Sequence, residues 1–448
     1  MMPVIRQKVL KSAAITVMIL SFTTVGCGDF SNSDNKSSNK TKVNNPSQNP
    51  TNPNKPIDSA NLPAEFRDLN TGDVTEKKIF ANLAVNVFAK QAESLNKQVD
   101  VFTTGLETYC QALKSNQEAT TEAEDAKRDW QRLMNAFHQL EGAPFGPIVA
   151  DGRFISDYLY SWPFLNTCGI DQNVIAFGAQ EVINPLSLMF NQRGLAAVEY
   201  LLFENSLLSK CNVRANPAVK VWNELPAKNR QLQRCQWAQQ LVPDIKAKAK
   251  LLSEKWELSQ DSFSVKLVKG ELFENDKEAL NALTDALSNI EKLKDLKLGR
   301  PLGKHKDCSA EICPGDVEHI YSGASLASAE AQLRGFKTVF FGSNDPAEKA
   351  FSVDDILIKQ GRADVVNRMA VAVEKAIQSV REVQKNGDLK SQIEAMDLNK
   401  CRLSTTTDRL VPICAVHSDI REVAAILKTE VLVALSLRAP PTHQGDND

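Results

Sequence analysis

The chain has 448 residues, with 53 Lys and Arg against 55 Asp and Glu and a formal charge of −2. Acids and bases are interspersed, so no basic face calls for nucleic acid, which is excluded as a partner. Hydrophobic residues make up 42%, which supports a packed globular body and rules out a wholly disordered chain.

The first residues read as an export signal. Arg6, Lys8 and Lys11 form a basic start, and Ala13 to Phe22 is an apolar run too short to span a bilayer comfortably. Thr24-Val25-Gly26-Cys27 comes next and resembles the lipobox of bacterial lipoproteins. That resemblance implies a signal peptide over residues 1–26 and a lipid anchor on Cys27, with a plain secretory signal as the alternative. Gly28 rather than Asp succeeds the cysteine, which is similar to lipoproteins sent on to an outer membrane, facing the periplasm or the cell surface. Residues 27–72 are rich in Asn, Ser, Lys, Pro and Thr up to about Leu62. Such a composition cannot bury enough surface to offset the entropy of ordering, and it reads as a flexible tether.

Helical period then dominates. Between Phe80 and Leu113, apolar residues fall at 80, 84, 87, 88, 95, 99, 102, 106, 109 and 113, a bundle-type stripe. Thr121 with Glu124 has the spacing of a capping box opening the helix of Trp130, Leu133, Met134 and Phe137. Pro226 suits the start of a long helix toward Trp256, which Pro243 would kink. Further helices are expected at about 276–297, 324–341, 363–385 and 408–437, and no run alternates with period two. The fold class is all-α, as bundles, with one domain over 73–215 and a second over 216–448.

One acid stands out. From Leu195 to Phe203 the only charged side chain is Glu199, which shares a helix face with Leu195, Ala196, Leu202 and Phe203. A buried carboxylate needs a cation, a metal, a proton or a wet cleft. "GLAAVEYLL" at 194–202 is echoed by "SLASAEAQL" at 325–333, with Glu330 in the place of Glu199, so two related bundles each set an acid on a small-residue helix. On the preceding helix, His138 and Glu141 lie three residues apart. Glu141 falls ~20° from the centre of the apolar stripe and His138 ~80° off it. A hydrogen-bonded histidine at a helix end is the plainer reading of His138.

Besides Cys27 there are eight cysteines, an even number that favours disulfides in an exported chain. Proximity in sequence suggests Cys308–Cys313, Cys401–Cys414, Cys211–Cys235 and Cys110–Cys168. The rival reading for one cluster is zinc held by His305, Cys308, Cys313 and His319.

The stretches "FHQLEGAPFGP", "SWP" at 161–163, "QRGLAAVEYLLF", "LGRPLG" at 298–303, "SLASAEAQLRGFKTVFFG" and the closing "GDND", in that order, resemble the imelysin family of exported bacterial proteins. The resemblance implies two similar four-helix bundles flanking a cleft, and a role as metallopeptidase or in iron uptake with iron-uptake proteins as partners. The family hallmark Gly-x-His-x-x-Glu reads Gly194-Leu195-Ala196-Ala197-Val198-Glu199 here. A methyl group binds no metal, so the hallmark site is incomplete, and no His-Glu-x-x-His occurs in the chain. The expectation is therefore a non-catalytic binding lipoprotein for iron or another divalent metal. Its ligands would be Glu199, Glu141 and His138, with Glu330 from the other half. Trp162, Arg193, Ser325 and Arg334, and Asp446 and Asp448 from the tail, would line the cleft. Arg193 and Arg334 are also the expected cation partners of Glu199 and Glu330. A metallopeptidase and a ligand-free scaffold are the alternatives.

Overall fold

The structure, a computed structural model, describes residues 62–438 apart from Asn116, Ala215, Pro346 and Ala347. The expected signal, Cys27, and Asp446 and Asp448 lie outside the described residues. Among the described residues there is helix and no strand, and no helix is long and apolar enough to cross a membrane.

Seven helices carry the packing around the site: α1 (Ala89–Lys114), α2 (Thr120–Glu141), α3 (Gly194–Phe203), α4 (Ala227–Trp256), α5 (Ser325–Phe341), α6 (Ala363–Gln384) and α7 (Pro412–Ile426). The apolar stripe read from sequence lies inward: Leu95, Val99, Phe102 and Leu106 of α1 are fully buried, as are Trp130, Leu133 and Met134 of α2. Side chains at i, i+3, i+4 and i+7 share one face, and that face is the one each helix presents to its neighbours. α1 packs against α2 and α4, and α3 against α4; α5 packs against α2 and α6, and α6 against α7. α5 thus packs on helices of both sets.

Several local expectations are revised. Ordered structure starts before residue 73: Phe66 is buried, and the Asn70 side chain accepts from Phe351 N at 2.7 Å and donates to Asn82 at 3.1 Å. α2 opens without a side-chain cap, its N-cap being Ala119, so Thr121 and Glu124 form no capping box. Pro226 caps α4, and Pro243 sits inside a helix that continues to Trp256. α4 lies beyond residue 216 yet packs on α1 and α3, so the first set of helices draws on chain from both sides of residue 215.

The eight cysteines other than Cys27 are all paired: Cys110–Cys235, Cys168–Cys211, Cys308–Cys313 and Cys401–Cys414. The two short loops are those expected; the other two pairs are exchanged. Neighbouring helices bring residues 110 and 235 together across 125 positions, which proximity in sequence cannot foresee. With Cys308 and Cys313 joined, the zinc set with His305 and His319 does not form. Four disulfides suit a body that lives in an oxidising, extracytoplasmic compartment.

Candidate metal centre

Four segments converge on one buried cluster, each held by local backbone constraints. α3 starts at Gly194 with φ +78°, and a Cβ there would sit 2.6 Å from the carbonyl oxygen of Tyr158. Only glycine allows that approach. Trp130 on α2 donates from Nε1 to the Leu195 carbonyl at 3.2 Å, clamping the first turn of α3. Glu199 lies one turn further and is 4% exposed. The end of α2 is pressed onto α5, where a Cβ on Gly335 would lie 1.9 Å from the Gln139 carbonyl; this fixes His138 and Glu141. The loop after the Cys308–Cys313 bridge carries Glu318 and His319. Lys297 comes from a π-helical turn, Leu293–Gly299, a feature that often marks functional sites.

Hydrogen bonds order the cluster. His138 Nδ1 lies 2.6 Å from Glu141 Oε2, and His319 Nδ1 lies 2.8 Å from Glu199 Oε2. Glu199 Oε1 also accepts from Ser322 N at 3.1 Å and from Ser322 Oγ at 2.9 Å. An ionised carboxylate only accepts, so each Nδ1 carries a proton and donates it. The two Nε2 atoms then face each other at 2.9 Å with lone pairs directed at one another. That arrangement requires a shared proton or a cation between them. Glu318 stands beside them, its Oε1 accepting from Tyr160 Oη at 3.1 Å and from Lys297 Nζ at 3.0 Å. Ligand atoms of His138, Glu318 and His319 all fall within 4.8 Å of one another, close enough to hold one metal ion. His319 itself sits at φ +53°, a conformation that a side chain disfavours and that the surrounding contacts must hold.

The electrostatics result from burial and charge. Burial opposes the charge on Glu141, but Lys292 at 2.8 Å and Lys297 at 2.5 Å overcome it and hold the carboxyl well below its usual range. Glu318 is likewise lowered, with Lys297 the largest influence against burial. Burial lowers His138, with Lys297 adding to the effect. His319 is raised because Glu199 and Glu318 outweigh its burial. Three carboxylates thus face two ammonium groups, and the proton or cation shared by the two Nε2 atoms offsets the remaining negative charge.

This donor set fits a metal. Two imidazoles, each oriented by a carboxylate on its far nitrogen, are arranged as in a carboxylate–histidine–metal centre, and Glu318 could add one oxygen ligand. The profile of the imelysin family, a peptidase M75 family, matches residues 88–407. The chain belongs to the imelysin family. Two solved structures share its fold. One is an imelysin-like protein from Psychrobacter arcticum, with 16% identity and a TM-score of 0.58, covering 82% of this chain and 98% of the other. The second, from Parabacteroides distasonis, is described as an iron-regulated protein A precursor; it has 18% identity and a TM-score of 0.56, covering 81% and 98%. No curated protein matches the sequence.

Within this imelysin fold, the residues singled out from sequence divide. His138, Glu141 and Glu199 meet in the cluster, but the two glutamates orient imidazoles from behind. Glu330 stands apart, with Arg334 Nε and Arg381 Nε each 2.8 Å from its Oε1. Arg193 pairs with Asp244 at 3.3 Å and lies over the Tyr158 ring; the helix start at Gly194 turns it away from Glu199. Arg334 serves Glu330 as expected. Ser325 Oγ donates to the Glu318 carbonyl, supporting the loop that bears Glu318 and His319. Trp162 lies beneath Lys292 and Lys297, 5.8 and 5.9 Å from its ring centre.

Sequence reading missed Glu318, Lys297 and Tyr160, and used His319 only in the zinc alternative. Beside the cluster lies a half-open cavity of about 430 Å³. Its lining includes Glu199, His319 and Ala196, the residue standing at the hallmark histidine position.

Proposed function

We propose that this imelysin-family protein is a lipid-anchored, non-catalytic metal-binding protein of the bacterial envelope, serving uptake of iron or another divalent metal. Its two related helical bundles meet at the centre. His138 Nε2, His319 Nε2 and a Glu318 oxygen hold the ion; Glu141 and Glu199 orient the imidazoles; Tyr160 and Lys297 position Glu318. The observation that carries this reading is the pair of opposed Nε2 atoms with both Nδ1 atoms committed to carboxylates. Nitrogen with carboxylate suits iron and zinc better than calcium or magnesium. The neighbour described as an iron-regulated protein A precursor supports iron.

Isothermal titration of the purified protein with iron(II) and zinc tests the reading. The expected result is one equivalent bound, with His319→Ala weakening affinity by more than about 100-fold, beyond the 10–100-fold effect typical of an orienting residue. Equal affinity in wild type and variant would refute it.

A metallopeptidase is the second reading, favoured by one feature: two histidines and a glutamate beside an open cavity form a donor set that zinc hydrolases use. It requires chelator-sensitive cleavage that His138→Ala abolishes. Metal binding without cleavage keeps the first reading.

A further inference from the structure

The metal reading leaves a second histidine site unused. His417 and Arg421 stand one turn apart on α7, so they share a face, and α7 packs against the π-helical turn Leu293–Gly299. His417 is only 7% exposed. A Cβ on Gly299 would lie 3.2 Å from its Nε2, so glycine lets the imidazole rest close to the backbone of the turn. Lys304 follows in the next loop, tied to the same point by its backbone N–H, which donates to the Gly299 carbonyl at 2.7 Å.

These side chains are short of partners. Among the described residues, no hydrogen bond reaches either ring nitrogen of His417, and no carboxylate pairs with Lys304 or Arg421. Burial, with the charges of Lys304, Arg421 and Lys294, pushes His417 down to about 3, so its ring is neutral. Lys304 is lowered by burial and then by Arg421, and no acid offsets either effect. Lys294 differs, being held by Glu291 at 2.5 Å and Asp295 at 3.4 Å. A buried polar group without a partner costs stability, and neighbouring cations without a counter-ion repel. One anion placed among them would satisfy all three.

We infer that Lys304, Arg421 and His417 form a binding site for a small oxyanion of the phosphate class. The ammonium and guanidinium groups supply charge-assisted hydrogen bonds, and the neutral imidazole donates a third from one nitrogen. The donors come from two segments that meet at Gly299. A tetrahedral ion, with oxygens pointing in several directions, can meet all of them, whereas a carboxylate offers two oxygens in one plane. The site is separate from the metal centre and does not depend on it.

The test titrates the purified, metal-free protein with inorganic phosphate in phosphate-free buffer, followed by calorimetry and by proton–nitrogen spectra of the imidazoles. One equivalent should bind and move the His417 ring signals. Glycerol 3-phosphate, run alongside, distinguishes a phosphomonoester from the free ion, and uptake of either supports the inference. Lys304→Gln and Arg421→Gln, whose side chains reach solvent, should each weaken binding about tenfold, the size of one lost charge-assisted bond. Without phosphate, removing either cation relieves repulsion, so both variants should melt at or above the wild-type temperature; saturating phosphate should reverse that order. No binding, unchanged affinity in both variants, or binding that leaves the His417 signals in place would each overturn the inference. So would variants that melt below wild type without phosphate, because an acid of the chain itself would then already occupy the site.

Discussion

Glu199 and Glu330 occupy matching places in the echoed segments 194–202 and 325–333, yet their surroundings are opposite. Glu199 is buried and touches an imidazole and a serine; its nearest sequence arginine, Arg193, has gone to Asp244. Glu330 is half-buried and gripped by two guanidinium groups, one from its own helix and one from α6. An arginine pair satisfies a carboxylate permanently, whereas an imidazole leaves its second nitrogen available for chemistry. The same short motif therefore gives a structural tie at Glu330 and, on the proposed reading, a group that orients a metal-binding imidazole at Glu199. What decides between them is the partner supplied by another segment.

The largest break in this comparison is expected at Lys297, the buried ammonium between Glu141 and Glu318. Lys297→Met leaves two buried carboxylates short of a cation, and removing one partner of such a pair costs about 3–5 kcal/mol. Urea unfolding of the metal-free protein should show a loss of that order, and saturating zinc should restore part of it by supplying positive charge. The counterpart Arg381→Leu leaves Arg334 on Glu330 and should cost under about 1 kcal/mol, as for a partly exposed pair. Equal losses in the two variants would erase the distinction between the halves.

Next in size is metal affinity. Glu199→Gln keeps the shape but weakens the acceptor for His319 Nδ1–H, so affinity should fall about 10–100-fold, as for other orienting partners. Glu330→Gln should leave it unchanged. A calorimetric comparison of the two glutamine variants decides this. If Glu199→Gln binds like wild type, Glu199 is a packing residue and its resemblance to Glu330 is closer than the geometry indicates.

The helices are legible in the sequence because burial repeats every 3.6 residues along α1, α2 and α6. Glu199 is legible as a lone acid in an apolar run, and His138 with Glu141 from their spacing on one helix. Lys297 is not, because ordinary helical period does not anticipate a π turn: one inserted residue rotates the side chains after it by ~100°. Glu318 and His319 lie in a loop, where no period points inward. The sequence does place His319 near Cys308 and Cys313, but the disulfide claims both sulfurs and leaves the imidazole for partners 120 and 181 residues away. The grip on Glu330 is hidden for a related reason: Arg381, its second partner, lies 51 residues on.

The smallest effect concerns the rim of the Glu330 half, where Glu374 of α6 meets Lys337 of α5 at 2.9 Å, with the carboxylate side chain 46% exposed. The Lys337 hydrogen bond, assisted by Gln378, holds the Glu374 carboxyl below its usual value. A lowered folded-state value means that the unfolded chain takes up the proton first as pH falls. The pair's stabilisation is therefore complete above the unfolded value of about 4.5 and disappears as pH drops through the lower folded one. Solvent screening keeps the size to a few tenths of a kcal/mol. Glu374→Gln should shift the urea midpoint slightly at pH 7, less at pH 3, and less again in 0.5 M salt, where the screening length is short. A loss that persists in high salt and at low pH would mean that Glu374 acts through packing, and the two halves would then differ in more than the exposure of their charges.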